Sequence, residues 1–421
     1  MKWISYLEHD FENRVAAIHD YVTPAPEVVQ TVRQIVADIK QRGDLALVEI
    51  TNRYSPVPID RSSLSLKAKP ATPSANIKKA LLASQKNIVR FYKKQIPKSW
   101  RGKNVEGAEF GENYQALDRV GIYVPGGTAP LVSSALMTIT LAKIAGVKEI
   151  VVATPPPVHP VLHYAIKFAG ATEIYQCGGA QAIAALAFGT SSIRPVNKIY
   201  GPGNSYVVEA KRQVYGRVGI DLLPGPSEIA VLADKSAVPA FVAADLLAQA
   251  EHGHGSRIFL LSPDKVFMEK VSAEIEQQVQ TLNRQQQLRE TLNLSCYLIH
   301  VKNLKQGVDL VQKIAPEHLS LCCVGAAKLA PSIRNCGAIF VGDFSPVAAG
   351  DYAAGPSHEL PTNGAGRYSS GLTIDQFLRR TSIVRYDKGS LKRVSATVTT
   401  LAEVEGMSAH KNSVEIRTKK K

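Results

Sequence analysis

Val120-Gly121-Ile122-Tyr123-Val124 opens the stretch that decides the fold, because its pattern then recurs: a short β-branched run, a Gly or Pro turn, an apolar helix. Residues 149–154, 173–176 and 198–200 read as the next strands, with helices at 133–145, 160–168, 180–188 and 204–214 between them. Strands that alternate with helices build a parallel sheet, since parallel neighbours need a crossover to bring the chain back to the same end. A second set follows, with strands at 228–232, 257–261, 296–300 and 338–341 and helices at 239–250, 266–282, 304–314 and 328–334. The expected class is α/β, arranged as two Rossmann-like, doubly wound parallel-sheet modules.

Outward from this centre, Val28, Val29, Val32, Ile35, Val36 and Ile39 form the stripe of an amphipathic helix that Pro26 starts and Gly43 ends. A second helix is expected from Ile77 to Tyr92, so the N-terminal region reads as mostly helical. Residues 342–371 are rich in Gly, Pro, Ser and Ala without periodicity, and so long a segment reads as a functional loop. The tail beyond Leu372 returns to strand and helix but is too short for a core of its own, so it must pack on something else.

Composition narrows the function. A chain of 421 residues, 45% hydrophobic, carries more apolar material than one core needs. Its longest apolar runs, such as 182–188, fall well short of the ~20 residues of a membrane span. Glu8, Asp10 and Glu12 interrupt the stretch that an export signal would keep apolar. Five cysteines, an odd number without a C-x-x-C pair, suit a reducing compartment, and the expected location is the cytoplasm. Fifty Lys and Arg against 36 Asp and Glu give a net +14, which invites a nucleic-acid reading. The basic residues are scattered through helices and the C-terminal end without interleaved aromatics, so no nucleic-acid partner is expected and attraction of an anionic small molecule is the functional alternative.

Glycine turns follow three of the strands: Tyr123-Val-Pro-Gly-Gly-Thr128, Gly178-Gly-Ala-Gln181 and Gly201-Pro-Gly-Asn204. In a parallel sheet such turns line one edge, the crevice in which these folds bind ligands, although no G-x-G-x-x-G is present. Gln249 and His252 stand one helical turn apart and could meet one metal, while His252 and His254, alternate residues of an extended segment, are a competing pair. Glu317-His318 sets a carboxylate beside an imidazole; adjacent residues of an extended segment point oppositely, which would suit different chemical steps. Asp351 and His358 lie in the Gly-rich loop, and Glu405 and His410 in the tail. Cys177 abuts the Gly178-Gly179 turn, but no neighbour in sequence would activate it, so it reads as buried and inert.

Together, Gly121-Ile-Tyr-Val-Pro-Gly-Gly-Thr-Ala-Pro130, Gly178-Gly-Ala-Gln181, Gly201-Pro-Gly-Asn204, Gly225-Pro-Ser-Glu228, Gln249-Ala-Glu-His252, Pro316-Glu-His318, Gly350-Asp-Tyr352 and Ala409-His-Lys-Asn412 resemble the histidinol dehydrogenase family, in family order over nearly the whole chain. The resemblance implies a zinc enzyme that oxidises L-histidinol to L-histidine through L-histidinaldehyde, passing four electrons to two NAD at the end of histidine biosynthesis. It implies Gln249, His252, Asp351 and His410 as ligands of one zinc per subunit, and Glu317 and His318 as the acid–base pair. Ser227, His358 and Glu405 would join Gln249, His252, His318, Asp351 and His410 around the substrate, and Tyr123, Gln181 and Asn204 would meet NAD. It also implies a homodimer whose tails cross to complete each other's sites. The corresponding domains are an arm at 1–25, a discontinuous module at 26–121 and 228–372, an NAD-side module at 122–227 and a dimerisation tail at 373–421.

Two positions depart from the family pattern. Gly253-His254-Gly255 stands where an Asp or Gly and then a Pro are common, and Ser357 where Asn often precedes the loop histidine. Related enzymes of this fold oxidise other small primary alcohols, which keeps a sibling zinc and NAD dehydrogenase as an alternative. A metal-dependent hydrolase with His252 and His254 as ligands and Glu317 as base is the alternative from another class, and a non-catalytic binding protein a third.

Overall fold

The structure is a computed structural model and describes residues 1–18, 23–126, 130–253 and 255–419. In chain order the strands are β1 (Lys2–Ser5), β2 (Trp100–Lys103), β3 (Glu109–Ala116), β4 (Arg119–Tyr123), β5 (Glu149–Thr154), β6 (Glu173–Gln176) and β7 (Lys198–Tyr200). They continue with β8 (Gly219–Ile220), β9 (Glu228–Ala233), β10 (Arg257–Ser262), β11 (Cys296–His300), β12 (His318–Cys322), β13 (Ala338–Val341) and β14 (Leu378–Arg385). The expected α/β class with parallel sheets is what the structure shows. A five-stranded sheet runs β6-β5-β4-β7-β8 and a six-stranded sheet β1-β11-β10-β9-β12-β13, with every neighbouring pair parallel. A small antiparallel sheet, β14-β3-β2, ties residues just past the loop to the N-terminal third.

Both large sheets are covered on each face, which is why their strands read as continuous apolar runs. Along β5, Val151 and Ala153 enter one core while Ile150 and Val152 enter the other. The same period of two sends Val231 and Ala233 to one side of β9, and Ala230 and Leu232 to the other. Several helix bounds agree with the periodicity to the residue, among them Pro239–Ala250 and Leu304–Ile314, each started or stopped by the residue type that reads so in sequence.

Residues 26–121 are grouped by sequence with 228–372, and here the structure differs. The helix Pro26–Arg42 packs on Gly179–Phe188 and Ser205–Val214, and Ala75–Tyr92 packs on Val132–Ala145, all of them helices covering the five-stranded sheet. The reason is complementarity of apolar faces: Val32 and Ile39 bury against Ala182, Ile183 and Leu186, which need an outer layer. The arm at 1–25 is also not separate, since its Lys2–Ser5 segment is the edge strand of the six-stranded sheet. Within 342–371 the chain forms a short α-helix, Val347–Tyr352, that packs on Pro239–Ala250, and a single 3-10 turn, Ala365–Arg367. No helix among the described residues is long and apolar enough to cross a membrane.

Candidate active site

Parallel pairing of β12 between β9 and β13 sets His318 level with Ile229 and Ala338. Glu317, one residue earlier, then falls beside the turn that leads into β9. Its Oε2 accepts hydrogen bonds from the Ser227 hydroxyl at 2.6 Å and the Glu228 backbone N–H at 2.9 Å. His318 Nδ1 lies 3.0 Å from the Glu228 carbonyl oxygen. A carbonyl only accepts, so Nδ1 carries the hydrogen, and Nε2, buried and without a partner, holds the lone pair of a base. The opposed side chains expected for Glu317 and His318 are not observed: Glu317 Oε2 is 3.6 Å from His318 Nδ1. Glu317 precedes the first ladder residue of β12, where the pleat does not yet dictate direction and the Ser227 and Glu228 donors turn the carboxylate toward the ring.

Next to the pair is a second acid. Burial lifts the carboxyl of Glu228 to about 7, against the pull of Arg257 and with a push from Glu317. Near neutral pH this group therefore adds less than a full negative charge to the site.

His318 lines a cavity of about 460 Å³ together with Phe340, Asp351, Ser357 and His358, so the Gly-rich loop supplies much of its wall. Asp351 lies in the last turn of the helix Val347–Tyr352, and its backbone carbonyl lies 2.9 Å from His358 Nδ1. The same tautomer argument gives His358 a bare Nε2, to which the Ser134 hydroxyl, 3.2 Å away, donates. Ser134 sits on Val132–Ala145, the helix after the first glycine turn, so this bond joins a covering helix of the five-stranded sheet to the Gly-rich segment that walls the cavity. Thr138, one helical turn on, bonds both the Ser134 carbonyl and Glu359. Sequence reasoning passes over Ser134, Thr138 and Glu359; the available signal is a pair of hydroxyls spaced i, i+4 on one side of a mostly apolar helix that also carries Ser133, Thr140 and Lys143.

The remaining expected residues divide by location. Gln249 is buried in the last turn of Pro239–Ala250 with its amide nitrogen unpartnered, and His252 is exposed just beyond that helix. Glu405 and His410 are exposed on the two tail helices, Lys388–Val404 with its cap and Ser408–Thr418, and do not line the cavity. Among the described residues no three His, Cys, Asp or Glu side chains gather as a metal group within this one chain. His254, Gly127 and Thr128 lie outside the described residues.

At the edge of the five-stranded sheet, the buried Tyr123 accepts a hydrogen bond from the Gly179 N–H at 3.2 Å. Gln181 is buried in the first turn of the helix behind Gly178, and Asn204 caps Ser205–Val214 by accepting from the N–H groups of Tyr206 and Val207. Cys177 beside them is fully buried, and burial pushes its thiol up to about 12, far from the thiolate a nucleophile requires.

A parallel α/β protein with a buried, hydrogen-bonded carboxylate–imidazole pair, its imidazole lining a cavity, is the class that this fold and site define. The sequence model of the family described as histidinol dehydrogenase matches residues 21–418. Curated histidinol dehydrogenases from Geobacillus kaustophilus and Geobacter metallireducens are 42% and 40% identical, covering 93% and 100% of this chain and 94% and 98% of their own length. A crystal structure of histidinol dehydrogenase from Elizabethkingia anophelis matches with a TM-score of 0.91 at 32% identity, over 99% of this chain and 98% of that one. The chain belongs to the histidinol dehydrogenase family.

Proposed function

We propose that this enzyme catalyses the four-electron oxidation of L-histidinol to L-histidine by way of L-histidinaldehyde, with zinc and NAD, in the cytoplasm. The observation that carries the reading is the buried, unpartnered Nε2 of His318, held as a base by the Glu228 carbonyl and set beside Glu317. Removing the hydroxyl proton of an alcohol as hydride departs requires such a base near neutral pH. The second oxidation proceeds from a hydrated aldehyde, and Glu317, a carboxylate with two donors already fixing one oxygen, is oriented to take a proton from the attacking water. A thiohemiacetal route has no support from Cys177.

The residues at hand fit both implied groups. Gln249 keeps a buried amide end without a partner near the helix that carries Asp351, and an all nitrogen and oxygen donor set of Gln249, His252, Asp351 and His410 suits a zinc ion. Tyr123, Gln181 and Asn204 stand at the ends of three adjacent turns, a suitable seat for NAD. When bound, zinc would orient the substrate's imidazole and amino nitrogens, and NAD would accept hydride. Leu401, Val404 and Ile416 are 59%, 81% and 65% exposed on the tail, which supports a homodimer in which His410 and Glu405 complete the other subunit's site.

The test separates the two half-reactions. Glu317→Gln should slow oxidation of supplied histidinaldehyde at least tenfold more than its reduction by NADH, because only the former uses the activated water. His318→Asn should slow both, and the unaltered enzyme should form two NADH for each histidinol consumed. Equal losses in the two assays for Glu317→Gln, or one NADH per histidinol with free aldehyde trapped in full, would overturn the reading.

A further inference from the structure

We infer that Lys211 and Asp221 are a positioning pair for nucleotide binding, clamping the first residue of the Gly201–Asn204 turn; the inference rests on the reading of that turn as part of the NAD site. Lys211 is fully buried on Ser205–Val214, the helix that Asn204 caps, and the Asp221 side chain, 4% exposed, is its ion-pair partner. Both act on one residue. Asp221 Oδ2 accepts from the Gly201 N–H at 2.7 Å, and Lys211 Nζ donates to the Gly201 carbonyl at 2.9 Å.

Gly201 follows the last residue of β7, where the sheet ladder stops supplying partners, so its two backbone groups need a donor and an acceptor from elsewhere. A charged pair supplies both at a fixed spacing and with charge-assisted bonds. The turn cannot drift from its neighbour either. Gly201 has φ of +108°, and a Cβ there would collide with the Tyr123 carbonyl oxygen, so the backbone of one nucleotide turn lies directly on that of another. Tyr123 is in turn bonded to Gly179 of the third turn. Lys211 and Asp221 thus stand behind the one point from which all three turns are set. A buried ion pair adds little stability over apolar residues of the same shape, so geometry is the better reason for placing one here. Glu359 is a second buried acid near the pair; desolvation and the charge of Asp221 push it up to about 8, so near neutral pH it is largely uncharged and does not compete for Lys211.

The experiment uses the full-length enzyme and measures NAD affinity by equilibrium titration, with KM and kcat alongside. Lys211→Met with Asp221→Leu removes both charges together and so avoids leaving one buried alone. This double variant should raise the Kd and KM for NAD about tenfold or more, while kcat at saturating NAD and KM for histidinol stay within about twofold. Asp221→Asn, isosteric and still able to accept from Gly201, keeps the shape of the clamp but leaves the Lys211 charge without its partner; once its folding is verified by circular dichroism, it should raise the NAD values about threefold. Asn204→Ala serves as the reference for the turn. If it weakens NAD binding while both Asp221→Asn and the folded double variant leave NAD affinity unchanged, the positioning role is overturned and the NAD site stands. If Asn204→Ala itself has no effect on NAD, the reading of the turn fails and the inference falls with it.

Discussion

At Glu359 one proton decides how the buried wall of the site is wired. Thr138 Oγ1 bonds both the Ser134 carbonyl and a Glu359 oxygen, yet a hydroxyl has one hydrogen and a carbonyl only accepts. Burial and the charge of Asp221 lift the carboxyl from 4.5 to about 8, so near neutral pH it is protonated and in that form can give its own hydrogen to Oγ1 while Thr138 donates to the Ser134 carbonyl. Between pH ~5 and 8 the unfolded chain has released this proton and the native chain retains it, so the contribution falls as pH rises, by roughly 1 kcal/mol per unit. Glu359→Gln keeps the donor and has no proton to lose. Its melting temperature should gain on that of the unaltered protein steadily from pH 5 to pH 8, and parallel curves for the two proteins would show that Glu359 ionises normally. The same accounting separates the two histidines of the cavity: each gives its Nδ1 hydrogen to a backbone carbonyl, but His358 Nε2 is met by Ser134 whereas His318 Nε2 has no partner. Of these two imidazoles, only His318 is left with an unengaged lone pair.

Among the elements, those with strong periodicity are legible in the sequence. β5, β6, β7, β11 and β13 have the bounds that the short apolar runs give in sequence, and all but the half-buried edge strand β13 carry a largely buried centre. β12 is not among the strands expected from the sequence, although Glu317-His318 reads as extended, because Pro316 and two polar residues interrupt any apolar run; only pairing with β9 and β13 makes the segment an interior strand of the sheet. The antiparallel β14-β3-β2 sheet escaped for the opposite reason: its residues are largely half-exposed or exposed, so no apolar alternation marks them. Site residues divide in the same way. Those carried by sequence motifs, such as Glu317 and Asp351, could be named, whereas Ser134, Lys211 and Asp221 matter through contacts between distant segments that no spacing records. The junction that delivers β12 carries a further expectation. Ala315 ends the helix Leu304–Ile314 in the left-handed region, φ +50°, a conformation that favours glycine. Ala315→Gly should stabilise the protein by about 0.5–1 kcal/mol in denaturant unfolding, the relief of the Cβ clash exceeding the entropy lost by glycine. A loss of stability would mean that the Ala315 methyl, which is fully buried, contributes more to packing than it costs in strain.

For the molecule as a whole, the tail is the part that one chain leaves unfinished. Its helices pack on each other, Val394 and Val398 are half-buried, and Leu401, Val404 and Ile416 remain open to solvent. On the proposed exchange, His252→Asn and His410→Asn proteins, each inactive alone, should regain activity when unfolded and refolded as an equal mixture. Every mixed dimer would hold one site with both lesions and one with neither, so random pairing restores about a quarter of the sites. Mixed dimers that form and stay inactive would show that each site is built from a single chain. The bare apolar side of the tail also bears on time. Folding of the sheets is an event within one chain, but on the proposed exchange the arrival of His410 at a site would require an encounter between two, and the last step in making an active enzyme would be second order in protein. Diluting a refolding mixture should lengthen the lag before dehydrogenase activity while leaving the recovery of secondary structure at its own pace, and a cell that makes few copies of this chain would wait longest for the first working one.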